Sequence, residues 1–281
     1  MIQLDSPEAL RHWRHQGPAA CFVPTMGALH EGHAALVRAA RQHAGPSGRV
    51  LVSVFVNPLQ FAPGEDLDRY PRTLVQDLAL CEACGADAVY APLTTDFYAA
   101  DRSISISESS LSKGLCGASR PGHFDGVCTV VAKLFNQSAC ADAFFGKKDY
   151  QQLAIIRRMV RDLDLPVRIH ALDTVREADG LAMSSRNRYL SVSEREQAPA
   201  IYQGLQRVQA LWRGGQNSAT SLLEALKAHL LAEAPLGSLD YAVLVNRDTL
   251  QPDEIADSHS LLALALRFGG ARLIDNLELQ P

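Results

Sequence analysis

From residue 19 to residue 171, short apolar runs alternate with amphipathic stretches, and no other property of the chain constrains its fold as tightly. Residues 19–23 read as a strand, 32–42 as a helix and 50–56 as a second strand. Residues 73–83 look helical and stop at Gly85, a residue suited to the left-handed position after a helix. Val89 and Tyr90 begin another short strand. Val127, Val130, Val131, Leu134 and Phe135 then recur at intervals of three and four, which marks one buried helical face. Residues 143–145 form a strand, Leu153, Ile156, Val160 and Leu163 repeat the helical spacing, and 167–171 close the series as a strand. Such alternation predicts a mostly parallel, Rossmann-like α/β sheet covered on both faces.

After Val175 the texture changes. A polar loop through Asn187 leads into helical stretches near 193–212 and 222–231, and 241–245, 261–268 and 272–274 look like strands joined by connections short enough for antiparallel pairing. The predicted division is therefore 1–175 and 176–281, the second a smaller α+β lid. A chain of 281 residues exceeds the size at which one core usually stops growing, so two domains are the natural expectation.

Hydrophobic residues make up 47% and charged residues 21%, values that predict a chain folded almost throughout. The net charge of -4 argues against a surface built to neutralise nucleic-acid phosphates. Acidic and basic residues are scattered through the first sixteen positions, and no stretch has the length of a signal peptide or a membrane span. Neither a nucleic acid nor a membrane is thus expected as a partner. Cys21, Cys81, Cys84, Cys116, Cys128 and Cys140 are expected to be reduced thiols, which points to the cytoplasm. Cys81 and Cys84 form a CxxC, but Leu74, Leu78 and Cys81 share helical spacing and no second pair accompanies them, so both read as small core residues.

The most informative segment is PTMGALHEGH, running from Pro24 to His33 between the first strand and the first long helix. Ligands of parallel sheets bind at such turns, and a helix amino end attracts anions through its N–H groups and dipole. Gly32 leaves room for a nucleotide to approach the backbone, while His30 and His33 can donate hydrogen bonds to phosphate oxygens. The plainer alternative is that both imidazoles only cap the helix. HEGH is not a zinc motif, because its histidines are three apart rather than four.

FFGKKDYQQL, Phe144 to Leu153, is a second strand-turn-helix. There Gly146 permits close approach, Lys148 offers a point charge for phosphate and Asp149 can accept from ribose hydroxyls. The alternative is a solvated charge cluster of Lys147, Lys148 and Asp149. In ADGLAMSSRN, a polar loop with the look of a mobile lid, Ser184, Ser185 and Arg186 suit a triphosphate. In SVFVNPLQF a strand ends at Asn57, and Gln60 follows. Neutral amides there, and at Gln152, can orient hydroxyls and a carboxylate without competing as nucleophiles. Asp77 is a candidate to help hold Mg²⁺, weighed against an ordinary helix carboxylate, and the metal ligands stay unassigned.

PTMGALHEGH, VNPLQF, GHFDGV, FGKKDYQQL and READGLAMSSRN stand in this order along the chain, and with them it closely resembles the pantothenate synthetase family, the pantoate–β-alanine ligases of the nucleotidyltransferase superfamily. PTMGALHEGH is similar to that superfamily's HIGH-type signature, and the resemblance runs essentially end to end. It implies an enzyme that joins (R)-pantoate to β-alanine through a pantoyl adenylate, releasing AMP and pyrophosphate, with ATP and Mg²⁺, as a cytoplasmic homodimer.

Residue roles follow from the same resemblance. It implies ATP contacts from Met26, Gly27, Ala28, Leu29, His30, Glu31, Gly32 and His33, and from Gly146, Lys147, Lys148 and Asp149. The Val175 backbone, Met183, Ser184, Ser185 and Arg186 complete that set. Gln60 and Gln152 would hold pantoate, with Asn57 beside Gln60. His33, His30, Lys148 and Arg186 would act in catalysis by offsetting phosphate charge. The superfamily's KMSKS-type loop is AMSSR here, without its lysines, which leaves Arg186 and Lys148 to supply the positive charge. Lys147 is given no catalytic task. The rivals are another adenylate-forming or nucleotidyl-transferring enzyme and a non-catalytic nucleotide sensor.

Overall fold

The computed structural model describes residues 1–281, which gather into two compact units. The first comprises residues 1–110, 120–147 and 152–173, and the second residues 111–119, 148–151 and 174–281. No helix is long and apolar enough to cross a membrane.

The first unit is built on six parallel strands: β1 (Ile2–Leu4), β2 (Cys21–Thr25), β3 (Val50–Val54), β4 (Ala88–Tyr90), β5 (Asp142–Gly146) and β6 (Arg168–Leu172), in the spatial order β1-β4-β3-β2-β5-β6. Helices α1 (Pro7–Arg14), α2 (Glu31–Ala44), α3 (Leu74–Ala83) and α4 (Thr94–Phe97) connect the early strands. In the second unit lies the short α5 (Leu115–Ser119); α6 (His123–Ser138) follows in the first, and α7 (Tyr150–Asp162) joins β5 to β6. Val23, Val37, Val50, Val52, Val89 and Phe144 are among the buried side chains that seal α2 onto the sheet. The predicted alternation is present, with β2 running two residues further than expected, through Pro24 and Thr25.

That extension explains where the sheet opens. β2 pairs with β3 along all five residues, but with β5 only at Cys21↔Asp142 and Phe22↔Ala143. Cys21 N–H and Thr25 C=O bond to Arg49 and Phe55 on the β3 side. Backbone direction alternates along a strand, so the Pro24 nitrogen faces β5. Proline has no N–H to extend that ladder. The chain order also reverses at β2 and β5, the switch point at which open α/β sheets bind ligands.

The second unit carries an antiparallel sheet, β7 (Ser238–Asn246), β8 (Ser260–Phe268) and β9 (Ala271–Glu278), in the order β7-β8-β9. α8 (Val192–Gln197), α9 (Ala200–Arg213) and α10 (Ala219–Glu233) accompany it. Ile201, Leu205, Leu222 and Leu226 pack with Leu262, Leu264, Leu266 and Phe268 in one core. The single helical stretch expected over 193–212 is two helices, since Pro199 stands between α8 and α9 and cannot donate the hydrogen bond that would join them.

All six cysteines are free and buried. Burial pushes the Cys81 and Cys128 thiols up to about 12 and Cys140 to about 11, so these three stay protonated at neutral pH. Cys81 of the CxxC is a core residue.

Candidate active site

In the first unit the turn after β2 is held in a conformation that the chain alone disfavours. Gly27 and Ala28 have φ of 81° and 51°, and a left-handed Ala costs about 1–2 kcal/mol. Asp77 of α3 offsets that cost. Its Oδ2 accepts from Ala28 N–H at 3.1 Å, its Oδ1 from Leu29 N–H at 2.8 Å and from the Thr73 hydroxyl at 3.2 Å. Asp77 is 2% exposed, so it is not a solvated helix carboxylate.

His30 is the amino-terminal cap of α2. Its Nδ1 accepts from Gly32 N–H at 3.1 Å, and His33 Nδ1 accepts in return from His30 N–H at 3.3 Å. The two ring centroids lie 4.1 Å apart. An imidazole nitrogen that accepts a hydrogen bond carries no proton, so each neutral ring holds its proton on Nε2 and is a donor there. Capping and phosphate recognition are therefore compatible, because the cap sets the tautomer that recognition needs. Glu31, in the first turn of α2, is paired with Arg38.

Beside this turn, Gln60 Nε2 donates to Met26 Sδ at 2.9 Å and Gln60 Oε1 accepts from Asn57 at 3.1 Å. Asn57 is 1% exposed and its amide is occupied within the protein. Nδ2 also donates to Gly126 C=O, and Oδ1 accepts from Leu59 N–H and the Tyr98 hydroxyl. Its geometric effect is to hold Gln60. At Gly126 any Cβ would lie 2.3 Å from Leu59 O, so only glycine lets α6 approach this segment.

The Gln60 carbonyl is gripped in turn by His123 Nδ1 at 2.8 Å and Arg120 Nη2 at 3.2 Å, with Arg120 clamped by Glu65 at 2.6 and 2.7 Å. Partial burial works to raise the Glu65 pKa, but the hydrogen bonds and charge of Arg120 outweigh it and hold the carboxyl below its usual range. Sequence reasoning gave Glu65, Arg120, His123 and Gly126 no roles. The only signal was the spacing of GHFDGV, which does not say that α6 packs on Gln60.

Gly146 ends β5, and the lysine after it, Lys147, pairs with Asp173 at 2.9 Å within the first unit. Gln152 is half-buried in the first turn of α7.

The second unit contains Lys148, Asp149 and the loop from Val175 to Arg186. The Lys148 ammonium is 3.7 Å from Asp149, and its carbonyl accepts from Asn276 Nδ2 at 2.9 Å. Tyr150 donates to Glu278 at 3.0 Å, so two residues of β9 fasten this turn. Lys148, Ser184, Asn187 and Asp275 line one small cavity.

The polar loop folds as a hairpin. Met183 N–H donates to Val175 C=O at 3.0 Å and Glu177 N–H to Leu181 C=O at 2.8 Å, with Gly180 at the tip at φ 93°. Arg176 bonds both oxygens of buried Asp275 at 2.6 and 3.0 Å, and Arg195 bonds Glu177 and Asp179, each at 2.6 Å. Ser184 Oγ caps the next turn by accepting from Arg186 N–H at 3.2 Å, and Ser185 opens that turn. The residues that make the loop polar are those that brace it.

A family model described as pantoate-beta-alanine ligase matches residues 3–278. The pantothenate synthetase of Akkermansia muciniphila is 50% identical over 270 residues, which cover 96% of this chain and 95% of that protein. A crystal structure of pantothenate synthetase from Thermus thermophilus superposes with a TM-score of 0.94 at 44% identity, covering all of both chains. The pantoate-beta-alanine ligase of Francisella tularensis, crystallised with beta-gamma ATP and beta-alanine, gives 0.81 at 31% identity over 100% of this chain and 98% of that one.

Proposed function

This chain belongs to the pantoate–β-alanine ligase family, and on that premise we propose how its residues divide the work of an ATP-dependent condensation of (R)-pantoate with β-alanine. In the first step a pantoate carboxylate oxygen attacks the α-phosphorus, the bond to the β-phosphate oxygen breaks, and pyrophosphate leaves with the electron pair. The second step is attack of the β-alanine amine on the pantoyl adenylate carbonyl, which expels AMP and sends the amine proton to solvent.

A carboxylate is a weak nucleophile beside a highly anionic chain, so positioning and charge compensation dominate catalysis. His30 and His33 donate hydrogen bonds from Nε2 to phosphate oxygens at the amino end of α2, next to the backbone of Met26, Gly27, Ala28, Leu29, Glu31 and Gly32. Gly146, Lys147, Lys148 and Asp149 border the nucleotide at the end of β5, with Lys148 the phosphate ligand. The Val175 backbone, Met183, Ser184, Ser185 and Arg186 close on it from the smaller domain. On this reading 1–175 is the ATP- and pantoate-binding domain and 176–281 the lid. Gln60 and Gln152 hold pantoate, and Asn57 serves them by fixing Gln60.

ATP enters as its magnesium complex. Mg²⁺ would offset triphosphate charge; Asp77 already accepts from the Ala28 and Leu29 amides, and no residue is assigned to the ion. The enzyme is placed in the cytoplasm as a homodimer, a reading supported by its free cysteines and by the family; sedimentation at the mass of one chain would overturn the dimer.

The observation that carries this reading is the reciprocal cap of His30 and His33, which sets two Nε2 donors at a helix amino end. The test is exchange of labelled pyrophosphate into ATP without β-alanine. Pantoate is expected to support exchange and other small carboxylates to fail. Exchange without any carboxylate, or none with pantoate, would refute the adenylate.

A further inference from the structure

Cys21, Asp142 and Arg168 are the first residues of β2, β5 and β6 and stand side by side, as register partners, at the amino-terminal edge of the parallel sheet. His43, in the last turn of α2, and His170, on β6, come over the same edge. One ligand atom each from Cys21, His43 and Asp142 lies within 4.8 Å of the others. His43 Nε2 is 3.4 Å from Asp142 Oδ1, and His170 Nε2 is 2.7 Å from the same oxygen. His170 stacks on Phe144 and His43 meets that ring edge-on, with centroids at 4.6 and 5.7 Å.

We propose that Cys21, His43 and Asp142 bind one divalent transition ion of the zinc class, with water in the fourth position, at the edge of the sheet opposite the nucleotide turn. Ligands bonded to such an ion at about 2.0–2.3 Å stand roughly 3.3–3.7 Å apart in a tetrahedron. The 3.4 Å between His43 and Asp142 already meets that spacing, and rotation about the Cys21 side chain supplies the rest. Sulfur, imidazole and carboxylate together select a borderline-soft ion over Mg²⁺ or Ca²⁺, which take oxygen ligands. The Cys21 proton leaves to solvent on binding, because a thiolate is the ligand.

Two features refine the proposal. His170 holds Asp142, the outer partner that orients a ligating carboxylate. Arg168 competes, since it pairs with Asp142 at 2.7 and 2.8 Å. With its side chain 72% exposed, it can swing into water when the ion arrives. The ion would brace the carboxyl end of α2 against β2 and β5, about 15 Å along the helix from His33 at 1.5 Å per residue.

Cobalt(II) titration of chelator-treated enzyme without nucleotide tests this. The expected result is one ion per chain, a sulfur-to-cobalt absorption band in the near ultraviolet and a raised Tm. Cys21→Ser is expected to abolish the band and His43→Ala to weaken binding tenfold or more, while Cys128→Ser leaves both unchanged. Arg168→Met is expected to tighten binding, a direction that mere ion pairing does not produce. No sulfur band at stoichiometric cobalt, a band that survives Cys21→Ser, or weaker binding by Arg168→Met would each overturn the site. If Cys21→Ser fails to fold, the half-exposed His43 and exposed Arg168 positions decide the matter.

Discussion

The His30/His33 turn and the hairpin from Val175 to Arg186, the two segments to which the proposed function gives phosphate contacts, are held by different forces. In the first, neutral imidazoles are fixed by backbone N–H groups and the turn by one carboxylate that accepts from two amides. In the second, the hairpin is braced by Arg176–Asp275 and by Arg195 with Glu177 and Asp179. A wall held by hydrogen bonds from its own backbone amides is preorganised within one unit of chain, whereas one held by pairs of charged side chains depends on every partner being present.

The largest expected effect strikes the hairpin. Arg176→Ala leaves the Asp275 carboxylate buried, and breaking a buried pair costs about 3–5 kcal/mol. Urea unfolding is expected to show that loss, and replacement of both residues by apolar ones to recover much of it. A loss from Arg176→Ala under about 1 kcal/mol would erase the contrast with the first wall, being the size of an exposed pair.

Next in size is His33→Ala, which removes one preorganised donor and is expected to lower turnover about a thousandfold, or about 3–4 kcal/mol of transition-state stabilisation. Near-normal turnover with ATP still bound would reduce the imidazole to a cap. Asn276→Ala takes one neutral hydrogen bond from the Lys148 carbonyl. About 1 kcal/mol, roughly a fivefold rise in KM for ATP, is expected, with the fold intact by circular dichroism.

The smallest effect concerns the ion pair that the first unit does place near its site. Glu65 has a lowered pKa in the fold, against a value of 4.5 outside it. Its contribution is therefore fully present above pH 4.5 and is lost as pH falls through the lower folded value. The Tm difference between wild type and Glu65→Gln is expected to be constant from pH 7 to 5 and to shrink below 4.5. A difference that grows on acidification would reverse the sign of the coupling.

What could be read from the sequence was periodic or contiguous. The spacing of Val127, Val130, Val131 and Leu134 located α6, and the apolar runs located β2, β3, β5 and β6, though not their ends. β1 and α1 were passed over because three residues and eight residues carry little periodicity. The signal for α1 was nevertheless there, since Ser6 caps it and Pro7 stands at its first position.

Within the candidate site, His30 and His33 could be found because strand, turn and helix are adjacent along the chain. Glu65, Arg120, Asn276 and the bracing role of Asp77 could not, because each acts on a residue 48 to 128 positions away and polar residues in helices and loops ordinarily face solvent. The hairpin was hidden for a related reason. Its charges are the feature that suggests solvation in a sequence, and in the structure they are its braces.

On the proposed function, His33 of the first unit and Lys148 of the second meet one nucleotide. A crystal structure with a non-hydrolysable ATP analogue measures it most directly: His33 Nε2 and Lys148 Nζ are expected to lie within hydrogen-bond distance of the same triphosphate, with its α-phosphorus open toward Gln60. A nucleotide that touches only one of these two residues would contradict the account.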